Sequence, residues 1–308
     1  MAARDGKSWT RAAACAGGKS IVTMARMNRS VPAASWPGHV ELHLNTPIPT
    51  RESRNDVSSF AVRLNFHGDL SFFLGPKRRP EIIERQLAEK TSIKDVIESC
   101  GVPHPEVDLI LLNGQPVDFY HNLQTKVGVD VYPVGFLPTL FTDKRLQGSH
   151  FTKFVADGHL GRLTRNLRLL GLDVAYLNAA EDRQLLETMQ RENRALLTRD
   201  RRLLMHAVVQ NGYYPRSQHA TEQTVEVIRR FDLLRSIAPF TRCLRCNASL
   251  ERVGKAEIIE KLQPLTKIYY EDFRRCSGCG QIYWPGSHFS KLQKRVEELR
   301  LQFSKSAA

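Results

Sequence analysis

Two pairs of cysteines near the C-terminus constrain this chain more than any other feature. Cys243-Leu-Arg-Cys246 is followed, after 29 residues, by Cys276-Ser-Gly-Cys279. Such spacing lets one tight knuckle offer two thiolates to a single ion, and two knuckles complete the tetrahedral set that zinc prefers. Gly278 and Gly280 flank the last cysteine, where a knuckle often needs positive φ. Four filled positions leave no place for substrate. The spacing therefore predicts a structural zinc ribbon with Cys243, Cys246, Cys276 and Cys279 as ligands, and it puts the chemistry elsewhere. Disulfides or chance spacing are the alternatives. Oxidised secreted scaffolds are usually short and cysteine-dense, whereas this chain has six cysteines in 308 residues. Cys15 and Cys100 read as free thiols, which suits a reducing cytoplasm.

The net charge of +13 is unevenly spread: residues 57–135 are net negative, and the segments on either side are net positive. Basic segments favour polyanions, because neutralising phosphates releases counterions. Nucleic acid is thus favoured over plain solubility charge. No apolar run approaches the roughly 18 residues of a membrane span, so no membrane contact is expected.

Residues 1–56 are rich in Ala, Ser, Arg and Pro without a lasting period, and read as a disordered basic extension. A transit peptide, or a true start at Met24 or Met27, fits the same segment. Gly17-Gly18-Lys19-Ser20 lacks the first glycine and the preceding strand of a phosphate loop. Residues 57–135 read as a small α+β unit. Residues 59–66 alternate as a strand, and 92–99 form a helix capped by Thr91 or Ser92 and stopped at Gly101. An apolar strand over 107–112 meets the hairpin signal Asn113-Gly114; 115–119 returns, and 127–132 is the last strand. Residues 136–152 read as a linker.

Residues 153–235 then alternate strand and helix, which implies a parallel sheet with helices on both faces. The first strand, 153–156, ends at Asp157. A helix over 159–170 carries Leu160, Leu163, Leu167 and Leu170 on one face, and a second strand covers 172–177. A helix led by Asn178 or Ala180 holds Leu185, Leu186 and Met189. The third strand, 195–198, ends beside Asp200. Residues 203–209 read as helical, Tyr213-Tyr214 as a short strand and 222–234 as a helix. Over 287–303, Phe289, Leu292, Val296, Leu299 and Phe303 keep helical spacing and read as packing against the ribbon or the core. Residues 304–308 are a tail.

In open parallel sheets, ligands bind beyond the carboxyl ends of the strands. Asp157 and Asp200 stand at two such ends, and Asp182 opens the helix after the second strand. Converging carboxylates suit magnesium or manganese, and such a site can activate water for in-line phosphoryl displacement. Turn and cap roles are the plainer alternative for all three. Arg162, Arg165 and Arg199 lie close by in sequence and can hold a phosphate bidentately. A solvated basic face competes with that reading, most of all for Arg168. His159 can reach substrate or simply start a helix. His288 lies too far beyond Cys279 to replace a knuckle ligand.

Three runs in order, Phe154-Val155-Ala156-Asp157-Gly158-His159-Leu160-Gly161-Arg162-Leu163, Leu167-Arg168-Leu169-Leu170-Gly171-Leu172-Asp173 and Leu196-Leu197-Thr198-Arg199-Asp200-Arg201, precede Pro239-Phe240-Thr241-Arg242-Cys243 and Tyr283-Trp284. Together they resemble the Mut-seven C-terminal ribonuclease family, a PIN-like nuclease core followed by a zinc ribbon. Residues 57–135 resemble the ubiquitin-like β-grasp domain that precedes this nuclease, through Val102-Pro103-His104, Asp108-Leu109-Ile110 and Val117-Asp118-Phe119. The resemblance implies an α/β fold: a nuclease sheet over 153–238, a ribbon and C-terminal helix over 239–303, and a β-grasp domain in front. It also implies cleavage of single-stranded RNA dependent on Mg or Mn. The catalytic carboxylates fall on Asp157, Asp200 and Asp182, with Glu181 or Glu222 as substitutes for the third, because Ala179-Ala180 stand where the family is often richer in acids. Arg162, Arg165 and Arg199 would position RNA. Sulfur carriers with a β-grasp fold need a free Gly-Gly terminus; Val131-Tyr132-Pro133-Val134-Gly135 runs on into the chain, so sulfur transfer is not expected. The domain would recruit a protein partner or orient substrate. A non-catalytic RNA-binding adaptor is the rival reading. A toxin-like nuclease is a third, against which the appended domains argue.

Overall fold

The computed structural model describes residues 59–75, 82–136, 141–148, 151–176, 178–179 and 181–305; the expectations for residues 1–56, Cys15 included, and for residues 306–308 lie outside the described residues.

Alternation builds the first sheet. In β1 (Phe60–Phe66), Val62, Leu64 and Phe66 are buried while Arg63 between them is exposed. Its antiparallel neighbour β2 (Ile82–Leu87) was not evident in the sequence, where polar Glu84, Arg85 and Gln86 blur the pattern. The two-residue β3 (Thr91–Ser92) leads into α1 (Ile93–Ser99), capped by Ser92, whose Oγ accepts from the Asp95 N–H at 3.1 Å. β4 (Val107–Leu112) turns through Asn113 and Gly114, with φ of 48° and 83°, into β5 (Gln115–Val117). Two successive positive φ values are what a type I′ hairpin requires. β6 (Asn122–Leu123) pairs with β3, and β7 (Val127–Pro133) closes the unit. The sheet order β2-β1-β7-β4-β5, with β1 and β7 parallel and the other neighbours antiparallel, is that of a β-grasp.

The second sheet is wholly parallel, in the order β11-β10-β8-β9. Its elements follow one another as β8 (Lys153–Ala156), α2 (Gly161–Leu169), β9 (Asp173–Tyr176), α3 (Asp182–Glu192), β10 (Ala195–Leu197), α4 (Arg201–Leu204), β11 (Gly212–Tyr213) and α5 (Ala220–Arg230). Phe154, Ala156, Ala195 and Leu197 pack with the leucines of α2 and with Val227 and Ile228 of α5. Val155 and Leu196 point the other way, to Leu185 and Met189 of α3. Both faces are dry, so the strands read as continuous apolar runs. Several boundaries differ from expectation. Glu181, not Asn178 or Ala180, caps α3, through a reciprocal pairing with Gln184. Instead of a helix over 203–209 there is a single turn that starts at Arg201, because Asp200 caps it. The short strand is Gly212–Tyr213, and α5 lies over Ala220–Arg230 in place of 222–234.

The ribbon is the antiparallel sheet β12 (Leu250–Val253), β13 (Phe273–Cys276) and β14 (Ile282–Tyr283). Short helices α6 (Lys255–Ile258) and α7 (Pro264–Tyr269) fill the gap between the knuckles. Val253, Ile258, Leu262 and Phe273 form a small core of its own. α8 (Phe289–Lys305) returns to the parallel-sheet half, where Val296, Leu299 and Phe303 join the core beside α5. No helix among the described residues is long and apolar enough to cross a membrane.

The β-grasp core runs without a break into the α3 face of the parallel sheet. Glu106, 2% exposed, accepts from the Tyr214 N–H at 2.6 Å and from Arg216 at 2.7 Å, and Arg216 also reaches Asp69 at 3.1 Å. Burial pushes the Glu106 carboxyl upward, and the Arg216 charge and hydrogen bond pull it back. Losing one partner of such a buried pair typically costs about 3–5 kcal/mol. His104 Nε2 lies 2.6 Å from Val209 O, and Arg201 donates to Phe73 O at 2.8 Å. In the 136–152 segment, Leu146 and Gln147 are hydrogen-bonded along Val107 and Asp108, so this stretch is strapped to the β-grasp sheet.

Candidate active site and metal centre

The carboxyl ends of β8 and β10 lie side by side, which brings Asp157 and Thr198-Arg199-Asp200 together. Thr198 is fully buried. Its hydroxyl donates to Asp157 Oδ2 at 2.8 Å and accepts from the Asp200 N–H at 2.9 Å. One hydroxyl thus fixes the spacing of the two aspartates. Asp157 Oδ1 has no hydrogen-bond partner among the described residues, while Asp200 Oδ1 caps α4 by accepting from Arg202 and Leu203 N–H at 2.7 and 3.2 Å. The cap role uses one carboxylate oxygen of Asp200 and leaves the second without a hydrogen-bond partner among the described residues.

Asp157, Arg199 and Asp200 line a cleft of about 1270 Å³. Asp182, in the first turn of α3, lines it too. Neither proposed substitute does: Glu181 stands at the N-cap of α3, its N–H donating to Gln184 Oε1 at 3.2 Å, and Glu222 accepts from Ser217 Oγ at 2.5 Å. Tyr176, at the end of β9, closes one wall, its hydroxyl 2.8 Å from Gly158 O. That approach explains Gly161, since a Cβ there would sit 2.7 Å from the Tyr176 hydroxyl.

Of the three arginines expected at the site, Arg162 and Arg199 line the cleft. Arg199 is held by Ser217 O at 3.0 Å and Gln218 Oε1 at 2.8 Å. Arg165 is exposed and lies outside the cleft lining. Arg168 is no solvated residue: it is 4% exposed and donates to Val174 O, Leu244 O and Arg245 O. The sequence reading missed Thr198, Tyr176, Arg201 and Arg295, the last reaching the cleft from α8. A hydroxyl two residues before a strand-end aspartate was an available signal for Thr198. Arg295 had none, because its place depends on how α8 folds back. His159 lines the cleft.

The four cysteines are a different kind of site. Their sulfurs all lie within 4.8 Å of one another, with Cys243 to Cys279 at 3.7 Å and Cys246 to Cys276 at 3.3 Å. Zinc with bonds of about 2.3 Å in a tetrahedron needs sulfurs about 3.8 Å apart. Disulfide bonds would be about 2.05 Å, and these cysteines are free. The donor set and spacing therefore fit zinc. Burial works against the Cys243 thiolate, but the Tyr283 hydroxyl at 3.1 Å and the amides of Arg245 and Cys246 outweigh it and bring the thiol to about 6. By contrast, the three aspartates span their cleft without gathering at such spacing. Their hard oxygens match magnesium or manganese in kind. Arg168 and Asp173 tie the first knuckle to the parallel sheet: Asp173 Oδ1 accepts from Asn247 at 2.7 Å and from Arg194 at 2.6 Å.

Two family models match the chain. Residues 59–136 match the Mut7-C ubiquitin model, and residues 152–296 match the Mut7-C RNAse domain model. No curated protein and no solved structure matches.

Proposed function

Because the chain belongs to the family of Mut7-C RNAse domains and carries the Mut7-C ubiquitin domain ahead of it, we propose that it is a metal-dependent ribonuclease that cleaves phosphodiester bonds of single-stranded RNA. The observation that carries this reading is the pairing of Asp157 with Asp200 through buried Thr198 at the strand ends, inside an arginine-bordered cleft. Asp157 and Asp200 would hold a magnesium or manganese ion, with Asp182 lining the same cleft. When bound, the ion supplies an activated water and neutralises charge on the phosphate. Thr198 keeps the two aspartates in register, because its hydroxyl donates to the Asp157 carboxylate and accepts from the Asp200 backbone N–H. Arg162 and Arg201 place positive charge along the cleft, where a phosphate backbone would run. Arg199 braces the Ser217–Gln218 rim. The cysteine cluster would hold structural zinc and fix the first knuckle against α2.

The test incubates zinc-loaded protein with labelled single-stranded RNA and manganese, beside an Asp157→Asn/Asp200→Asn variant. Chelator alone is ambiguous, because it would strip the ribbon as well. Manganese-dependent cleavage that disappears in a folded variant is the expected outcome. Equal binding without cleavage in both proteins would favour the adaptor.

A further inference from the structure

A second hollow lies between the ribbon and the start of α8, and nothing in the cleavage reaction uses it. It has a volume of about 400 Å³, within the usual range of pockets that hold small organic groups. Its walls include Phe240, Tyr283, Trp284 and Phe289, with Arg242 and Arg274 among them. Phe240 and Phe289 are 4.9 Å apart between ring centroids. Arg274 donates to Phe240 O at 3.0 Å, which holds that aromatic residue in place. Trp284 is 38% exposed, and its indole N–H has no hydrogen-bond partner among the described residues. Preset aromatic faces beside fixed guanidinium groups are how proteins hold unstacked bases of single strands. An apolar side chain would have less use for two arginines.

The position of the hollow favours the same ligand. Leu163 of α2 lines the cleft and Leu169 of α2 lines the hollow, six residues apart in sequence. Phe289 and Leu292 of α8 line the hollow and Arg295 lines the cleft. At about 1.5 Å per helical residue, the bordering residues Leu163 and Leu169 are about 9 Å apart along the α2 axis. A single strand of a few nucleotides covers such a rise.

We propose that the hollow formed by Phe240, Trp284, Tyr283 and Phe289 takes an unstacked base of the RNA strand whose backbone lies in the cleft. This rests on the reading of the cleft as an RNA site. The ribbon would then set the distance between a gripped base and the phosphate at Asp157 and Asp200.

The test uses the full chain with Trp9→Phe and Trp36→Phe, so that Trp284 is the only indole, in the Asp157→Asn/Asp200→Asn background. An eight-residue oligouridylate is compared with an abasic ribose-phosphate oligomer of equal length. Quenching of Trp284 fluorescence by the first and not by the second is expected. Followed by the anisotropy of an end-labelled oligouridylate, Phe240→Leu and Trp284→Ala should weaken binding by about 5- to 150-fold, as loss of one stacked base would. Zinc content and melting temperature should hold. Equal quenching by both oligomers, or unchanged binding in both variants, overturns the proposal. Failure of the wild-type chain to cleave RNA would instead sink the nuclease reading, and the quenching comparison is read independently of it.

Discussion

Arg168 offers the sharpest quantitative test of how the two C-terminal parts are joined. It sits on α2, is 4% exposed, and reaches three carbonyl oxygens. Nε and Nη2 both donate to Val174 O at 3.0 and 2.8 Å, and Nη1 donates to Leu244 O at 3.3 Å and Arg245 O at 3.1 Å. The last two carbonyls belong to the knuckle between Cys243 and Cys246. Arg168→Met keeps the apolar stem and removes the donors. Val174 is fully buried, so its carbonyl loses a charged donor with no water to replace it, at about 2 kcal/mol. The knuckle carbonyls are partly reachable by water and add about 1 kcal/mol. A loss of about 3 kcal/mol corresponds to about 6–12 °C in Tm for a domain of this size. Because the knuckle loses its support, zinc affinity should also fall by about 10- to 100-fold, as for other residues that orient metal ligands. The assay is a thermal melt at fixed zinc, with metal transfer to a colorimetric chelator on the same samples. Arg165→Met, on the exposed side of the same helix, is the control and should shift stability by no more than about 0.5 kcal/mol. An Arg168→Met protein that melts with the control and releases zinc at the wild-type rate would refute the reasoning.

Thr198→Val removes the hydroxyl between Asp157 and Asp200 while keeping the buried shape. Single-turnover cleavage should fall about 10²-fold, as for a misplacement of about 1 Å, with Thr198→Ser retaining most of the rate; equal rates in Thr198→Val and wild type would remove Thr198 from the site. Asp173 makes a pH prediction. Burial opposes its charge, but hydrogen bonds from Arg194 and Asn247 and the charges of Arg194 and Arg242 hold its carboxyl below the usual carboxylate range. A depressed folded value means that its stabilisation is full above the unfolded pKa of about 3.9 and is lost as pH falls through the folded one. Asp173→Asn should therefore be less stable than wild type near neutrality, and the two melting curves should converge as pH drops below about 4. Parallel curves across that range would show that Asp173 is not held this way.

The sequence made the strand ends legible because they obey local rules. Runs of three apolar residues, 154–156 before Asp157 and 195–197 shortly before Asp200, predict buried parallel strands, and both pair directly across one ladder. Cysteine spacing was equally local, and the four sulfurs do converge. What stayed hidden depends on tertiary packing. β2 is an edge strand whose alternation is interrupted by Glu84, Arg85 and Gln86, so only its pairing to β1 reveals it. Arg168 shares a three-residue period with Arg162 and Arg165, and periodicity alone puts all three on one polar face. The structure instead buries Arg168 against a knuckle some 75 residues further along, at Leu244 and Arg245. No pattern within α2 contains that information. The same holds for Arg295, which joins the cleft only because Val296 and Leu299 dock beside α5.

The β-grasp domain bears on the cleft through physical contact. Its turn at Gly68–Leu74 meets the residues that follow Asp200. Arg201 lines the cleft, donates to Phe73 O and stands over the Phe73 ring at 5.2 Å. Arg216 stands over the same ring at 5.0 Å and is paired with buried Glu106. A carboxylate as deeply buried as Glu106 is tolerable only while its guanidinium partner stays in place. Separating the domain would therefore expose both an apolar core and an unpaired ion, and would release a side chain adjacent to a cleft carboxylate. Those contacts tie the domain to the geometry of the cleft more directly than a tethered recruiting module would require. Any partner that binds the domain and leaves it in place must use surfaces away from Phe73, His104 and Glu106.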